Sequence, residues 1–224
     1  MEGGKMRLKK ATLLAIIGIS YAFILRTIGT FLPDIFKNLI VAQSIQILSF
    51  LASLTIVFFF ISFYLDYVEQ EQIKLKQASV LAIIGSSAMA LVRIKGLLLV
   101  IFRRYISLYW LHYLIRSDYI GVVIPWVSSI LILLFFIIFY KDILSQKKVE
   151  LKIATLLAII GSSISTLLLT FVLFNYLYPR EIRWLLYSPG KIAIIFIPLS
   201  TFSFIAILYF FLCFYKEQKR GEKL

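Results

Sequence analysis

The side chains that could carry chemistry in this chain are few and scattered. His112 is the only histidine and Cys213 the only cysteine. A zinc or haem site draws on several imidazoles or thiolates, so no metal or cofactor is expected. His112 sits among Tyr105, Tyr109, Trp110 and Tyr113 and reads as an interfacial polar group, because nothing else in the sequence equips it as a general base. Gly85-Ser86-Ser87 and Gly161-Ser162-Ser163 lack the second glycine of a Gly-x-Ser-x-Gly nucleophile elbow. There is no P-loop, no His-Glu-x-x-His pair and no Gly-rich dinucleotide fingerprint. Asp34, Asp66 and Asp142 stand at the edges of apolar stretches, which argues against intramembrane aspartyl chemistry and against a carboxylate proton relay. No catalytic residue is assigned, and a non-enzymatic role is the expectation.

Basic side chains offer a different chemistry. Arg26, Arg93, Lys95, Arg103, Arg104 and Arg116 are the candidates for contact with an anion or a lipid head group, since a guanidinium presents a planar donor fork suited to phosphate. Arg26 and Arg93 each lie within an apolar stretch, where an ionisable side chain is a functional candidate by default. Fifteen residues from Ala11 at 1.5 Å each put Arg26 roughly 22 Å into the span, near the far interface. Two readings remain open there: a long side chain snorkelling to the interface, or an anion-binding cluster of Arg26, Arg93 and Lys95. The aromatic segment 103–119 and the segment 180–191, with Trp184 and Tyr187 beside Arg180 and Arg183, read as interfacial anchors. A nucleic-acid partner would need a soluble face, and none is expected.

The elements that must position these residues follow from composition. Of 224 residues, 61% are hydrophobic and only 16% charged, against roughly 25% charged in soluble domains; mean hydropathy is +0.95. Soluble globular and disordered classes are thereby excluded. Six apolar stretches, near 11–32, 39–65, 78–102, 120–140, 154–178 and 192–215, reach the ~20 residues a spanning helix needs. They lack the alternation of a barrel strand, as the run from Ile130 to Phe139 illustrates. Pro33, Pro179 and Pro189 fall between spans, whereas Pro198 lies inside the sixth and predicts a kink. Lys5, Arg7, Lys9 and Lys10 before Ala11 have the look of a signal peptide. The same apolar segment recurs twice inside the chain, however, and so is expected to be a retained first span.

That recurrence is the strongest signal. Leu8-Lys9-Lys10-Ala11-Thr12-Leu13-Leu14-Ala15-Ile16-Ile17-Gly18 returns from Leu75 to Gly85 and again from Leu151 to Gly161, and each copy closes alike at Phe63-Tyr64, Phe139-Tyr140 and Phe214-Tyr215. The expected fold is an all-α membrane protein: six transmembrane helices as three tandem two-helix hairpins, repeats 8–74, 75–150 and 151–224 of a single domain, 1–224. Small residues recur on one face of the first helix of each repeat: Ala15 and Gly18, Ala82 and Gly85, Ala158 and Gly161. They are read as a helix-packing seam, because small side chains let backbones approach where lipid gives no hydrophobic drive; a lined polar path is the alternative. Ser20, Ser87 and Ser163 are expected to hydrogen-bond locally or across that seam. In outline, three two-helix repeats with basic charge are similar to mitochondrial carriers, but the Pro-x-Asp/Glu-x-x-Lys/Arg signature is absent. Pro33-Asp34-Ile35-Phe36-Lys37 has the wrong spacing and occurs once.

Charge gives an orientation. Fourteen of the 24 Lys and Arg flank the termini and between-repeat connections, and ten lie on the other side. The positive-inside rule therefore places both termini in the cytoplasm of a plasma membrane, with a prokaryotic cell expected. The inner side holds 12 Lys and only Arg7 and Arg220; the outer side holds seven of nine Arg. Cys213, near the inner end of span six, would report orientation through an impermeant thiol reagent. The expected partners are membrane lipids, anionic ones among them, together with a membrane protein partner or a second copy. The function expected is that of a structural, accessory or lipid-interacting membrane protein. A small anion transporter or channel is the alternative, and a lipid-modifying enzyme stands third.

Overall fold

A computed structural model describes residues 2–31, 39–68, 73–102, 118–144, 146, 148–177 and 189–221. Every described element is a helix: α1 (Glu2–Phe31), α2 (Leu39–Val68), α3 (Ile73–Phe102), α4 (Asp118–Ile143), α5 (Val149–Leu177) and α6 (Pro189–Gly221). Six helices are long and apolar enough to cross a membrane. Helix is the form such sequences must take in hydrocarbon, because each backbone N–H and C=O then finds its partner within its own segment. At 1.5 Å per residue these helices measure about 39 to 50 Å, more than the roughly 30 Å hydrocarbon core. Their ends therefore carry charge beyond the apolar stretch: Arg7, Lys9 and Lys10 on α1, and Lys216, Lys219 and Arg220 on α6. Pro189 is the first residue of α6 and not part of a connection; its missing N–H costs nothing at that position. Both Pro125 and Pro198 lie inside continuous helices.

Each helix packs against its neighbours in the chain, and α1 closes the ring against α6. Helices α2, α4 and α6 also meet at the centre, through phenylalanines at the end where α1 begins and α6 finishes. We call this the near end. The buried residues lie at the near end and in the middle: Leu8 to Ile19 of α1, Ala52 to Phe63 of α2, Leu75 to Ala90 of α3, Ser128 to Ile143 of α4, Leu151 to Ser162 of α5 and Ser200 to Phe214 of α6. Toward the far end, none of the described side chains in 20–28, 41–51, 91–98, 121–127, 163–177 and 195–199 is buried. Among the described residues burial is thus concentrated at the near end and in the middle, while far-end contacts such as the Phe171–Phe196 ring pair at 5.3 Å join helices whose side chains stay partly exposed.

Candidate functional site

The near-end centre is built from three trios of phenylalanine: Phe59, Phe60 and Phe63 on α2; Phe135, Phe136 and Phe139 on α4; Phe210, Phe211 and Phe214 on α6. All nine are at most 5% exposed. The second ring of each trio meets the first ring of the next. Phe60 lies 4.9 Å from Phe135, Phe136 lies 4.9 Å from Phe210, and Phe211 lies 4.6 Å from Phe59, each edge to face. The third rings form a triangle about the centre, with sides of 5.7 Å (Phe63–Phe139), 5.9 Å (Phe139–Phe214) and 5.9 Å (Phe63–Phe214). Edge-to-face pairs satisfy the ring quadrupoles and add about 0.5–1.5 kcal/mol each beyond area burial. Rings this close leave no water-wide passage along the centre. Cys213 is buried in the same cluster, so it would not react with an impermeant reagent from either side and is no reporter of orientation.

Around this plug the small residues lie where helices approach. Ala15, Ala82 and Ala158 are wholly buried. A Cβ added at Gly18 would collide with Thr55 Oγ1 and sit 2.9 Å from the Ala52 carbonyl oxygen. At Gly85 it would meet the Ser128 carbonyl at 3.0 Å, and at Gly161 the Ala206 Cβ at 2.9 Å. α1 thus rests on α2, α3 on α4 and α5 on α6, each at a glycine with no room for a side chain. Deeper in, Thr12, Ser79 and Thr155 are fully buried and donate to the carbonyls of Leu8, Leu75 and Leu151 at 2.8, 2.6 and 2.7 Å. These back-bonds make a buried hydroxyl tolerable. Ser20, Ser87 and Ser163, expected to bond here, are half-buried. The bonds seen at the seam are those of Ser86 to the Ile83 carbonyl (3.2 Å) and of Thr55 to the Ala52 carbonyl (2.7 Å).

Two polar bridges between helices are seen among the described residues. Between α4 and α5, Trp126 Nε1 donates to Thr170 Oγ1 at 2.8 Å, and the Thr166 hydroxyl lies 3.2 Å from Ser129 Oγ and 2.9 Å from the Ser162 carbonyl. Thr170 in turn donates to the Thr166 carbonyl at 2.8 Å. At the near-end surface, the Glu150 carboxylate of α5 accepts from Lys216 of α6 at 2.7 Å and lies 3.6 Å from Arg220. Lys152 Nζ donates to the Leu144 carbonyl at 2.7 Å and so caps the end of α4.

Of the proposed anion contacts, Arg93 and Lys95 are described. Arg93 is exposed and Lys95 half-buried, both in the far third of α3. Beside them the Gln46 amide of α2 lies over Gly96, its Oε1 3.3 Å from where a Cβ would stand. The Arg26 side chain, Arg103, Arg104, Arg116 and His112 lie outside the described residues. From sequence, Phe63, Phe139 and Phe214 mark only the close of each repeat, and neither the phenylalanine centre nor the Trp126–Thr170 bridge is predicted. The usable signal for the former was the alignment of the repeats, in which Phe59, Phe135 and Phe210 share one offset before the closing Phe-Tyr pair. Compared with protein families, with curated proteins and with solved structures, the chain matches none.

Proposed function

We propose that this chain is a multi-pass protein of a prokaryotic plasma membrane, built as three tandem hairpins around a pseudo-threefold centre, with both termini in the cytoplasm. Its role is non-enzymatic: it is an accessory or lipid-interacting scaffold of the membrane. The observation that carries this reading is the aromatic plug, in which ring contacts of 4.6 to 4.9 Å recur three times around the centre. Dry aromatic packing on the axis suits a rigid body that presents its outer surface to lipid or to a partner helix, and it obstructs a conduit along the axis. Large apolar side chains such as Ile17, Leu91, Leu167 and Ile195 are well exposed on the described helices, which fits a lipid or helix neighbour.

Gentle purification from the native membrane followed by mass spectrometry tests the role: a stable protein or lipid companion is expected. Passive or coupled anion flux in reconstituted vesicles, lost in an Arg26→Gln/Arg93→Gln variant, would replace this reading by the transporter. Orientation is tested in a Cys213→Ser background by Lys74→Cys, an exposed near-end position. An impermeant maleimide should label it only after permeabilisation; labelling in intact cells would invert the topology.

A further inference from the structure

The positive charge of the near end is unevenly shared around the ring. Residues 66–76, where α2 passes into α3, carry three acids and two bases. Residues 141–152, where α4 passes into α5, carry two acids and four bases. Residues 2–10, the first turns of α1, and residues 216–224, at the near end of α6 and just beyond it, together carry three acids and eight bases. These counts take in every carboxylate of each segment. Because α1 packs against α6, the last two segments are brought together, and five of the six net positive charges of the near end collect there. Glu150 of α5, which meets Lys216 and Arg220 of α6, offsets one of them. The positive-inside rule accounts for the sign of this end, but not for its concentration at one junction.

The same junction is the least extensive of the six contacts between neighbouring helices. The other two near-end junctions are each held by a short stretch of chain, and this one is not, since α1 and α6 are not consecutive. Helix geometry places particular bases beside it. Lys10 lies eight residues before Gly18, the position that meets α2, and so stands on a face turned well away from α2. Lys219 lies sixteen residues after Ser203, which meets α5, and so stands about 160° round α6 from that contact. Both lysines are exposed. Deeper along the same stripes the exposed side chains are apolar: Leu13 and Ile17 stand three and seven residues beyond Lys10, and Leu212 stands seven residues before Lys219.

We infer that the near-end rim where α6 and α1 meet binds the head groups of anionic phospholipids, with Lys10 and Lys219 beside the junction and the acyl chains on the apolar side chains below. The inference rests on the membrane reading above and gives its lipid interaction a location, at the end opposite the Arg-rich one. Charges within about one Debye length, ~8 Å at physiological salt, act together on an anionic head group, and each added base strengthens the attraction. An acidic face of a partner protein would meet the same charge but would give the exposed Leu13, Ile17 and Leu212 nothing to match. A phospholipid matches both, with phosphate at the rim and hydrocarbon beneath it.

Two double variants remove equal charge from different places. Lys10→Gln/Lys219→Gln acts at the α6–α1 rim; Lys74→Gln/Lys148→Gln acts at the other two near-end junctions, also on exposed positions. The measurement is native mass spectrometry of the full chain in detergent, with phosphatidylglycerol and phosphatidylcholine added separately. Wild type should retain phosphatidylglycerol over phosphatidylcholine. The rim variant should weaken that retention by about tenfold or more, and the other variant by less than about threefold. Equal weakening by the two variants, or none in a folded rim variant, would overturn the inference. Unchanged lipid retention with loss of a co-purifying protein would overturn it too, and would assign the surface to an acidic partner. Carbonate extraction of the wild-type chain tests the membrane reading separately. Release from the membrane would remove that reading, whereas a chain that stays embedded and fails the retention comparison loses the lipid site alone.

Discussion

The near and far halves of the same six helices differ in what fills the space between them. At the near end nine phenylalanines interlock and three glycines bring backbones to within 2.9 to 3.1 Å of where a Cβ would stand. Toward the far end the helices keep the same apolar composition, yet no described side chain there is buried, and at Gly121 a Cβ would meet no described atom within 4 Å. Hydrophobicity alone does not distinguish the halves. Complementary shape does: lipid tails are as apolar as leucine, so association in a membrane rests on packing and on interhelical hydrogen bonds. Where rings and glycines fit, the described side chains are buried; toward the far end they are only partly so.

The largest effect that would break this contrast is loss of a central ring. Phe139→Ala should lower stability by about 3–5 kcal/mol, the range for a buried aromatic replaced by alanine. Leu173→Ala, on a half-buried far-end position of α5, should cost about 1 kcal/mol or less. Thermal unfolding in detergent compares the two, and equal losses would show that both halves are packed alike.

The glycines give the next largest difference. Gly161→Leu drives a side chain into Ala206 and Ser203 and should cost about 1–3 kcal/mol through overpacking. Gly121→Ala meets no neighbour and should gain up to about 1 kcal/mol from helix propensity. Opposite signs in the same unfolding assay are the expected outcome.

The smallest effect concerns the bridge between α4 and α5. Thr170→Val removes the acceptor for Trp126 Nε1 and should cost about 0.6 kcal/mol, with an upper bound of about 1.7, as interhelical bonds in membranes do. Red-shifted or quenched tryptophan fluorescence on that substitution would confirm that the indole N–H had lost a partner. An unchanged spectrum and stability would mean that the bridge contributes nothing.

The six helices were legible in the sequence because each is an uninterrupted apolar run, and the glycine contacts because Ala15-x-x-Gly18 recurs at Ala82 and Ala158. The plug was not. These helices are apolar on every side, so polarity cannot say whether Phe59 faces lipid or the centre, whereas in a soluble helix a polar face would have decided it. Arg93 was noticed for its charge, and its depth in the span suggested an interfacial role. That it shares a face with Leu75 could be counted from the sequence. Only the buried positions around it reveal that this is the face α3 turns to its neighbours. The Trp126–Thr170 bridge joins residues 44 positions apart, a pairing that no local pattern encodes.

The central claim, a near half closed by rings and glycines and a far half whose described side chains stay partly exposed, is tested most directly on one face of one helix. In a Cys213→Ser background, single cysteines at Gly121 and Ser128 lie two turns apart on α4, the first with no described atom within 4 Å of an added Cβ and the second wholly buried. The reaction rate of a charged, water-soluble thiol reagent with each, in the reconstituted protein, is the measurement. Rapid modification at position 121 with negligible modification at 128 is the predicted result. Comparable rates at the two positions, whether both fast or both negligible, would contradict the account.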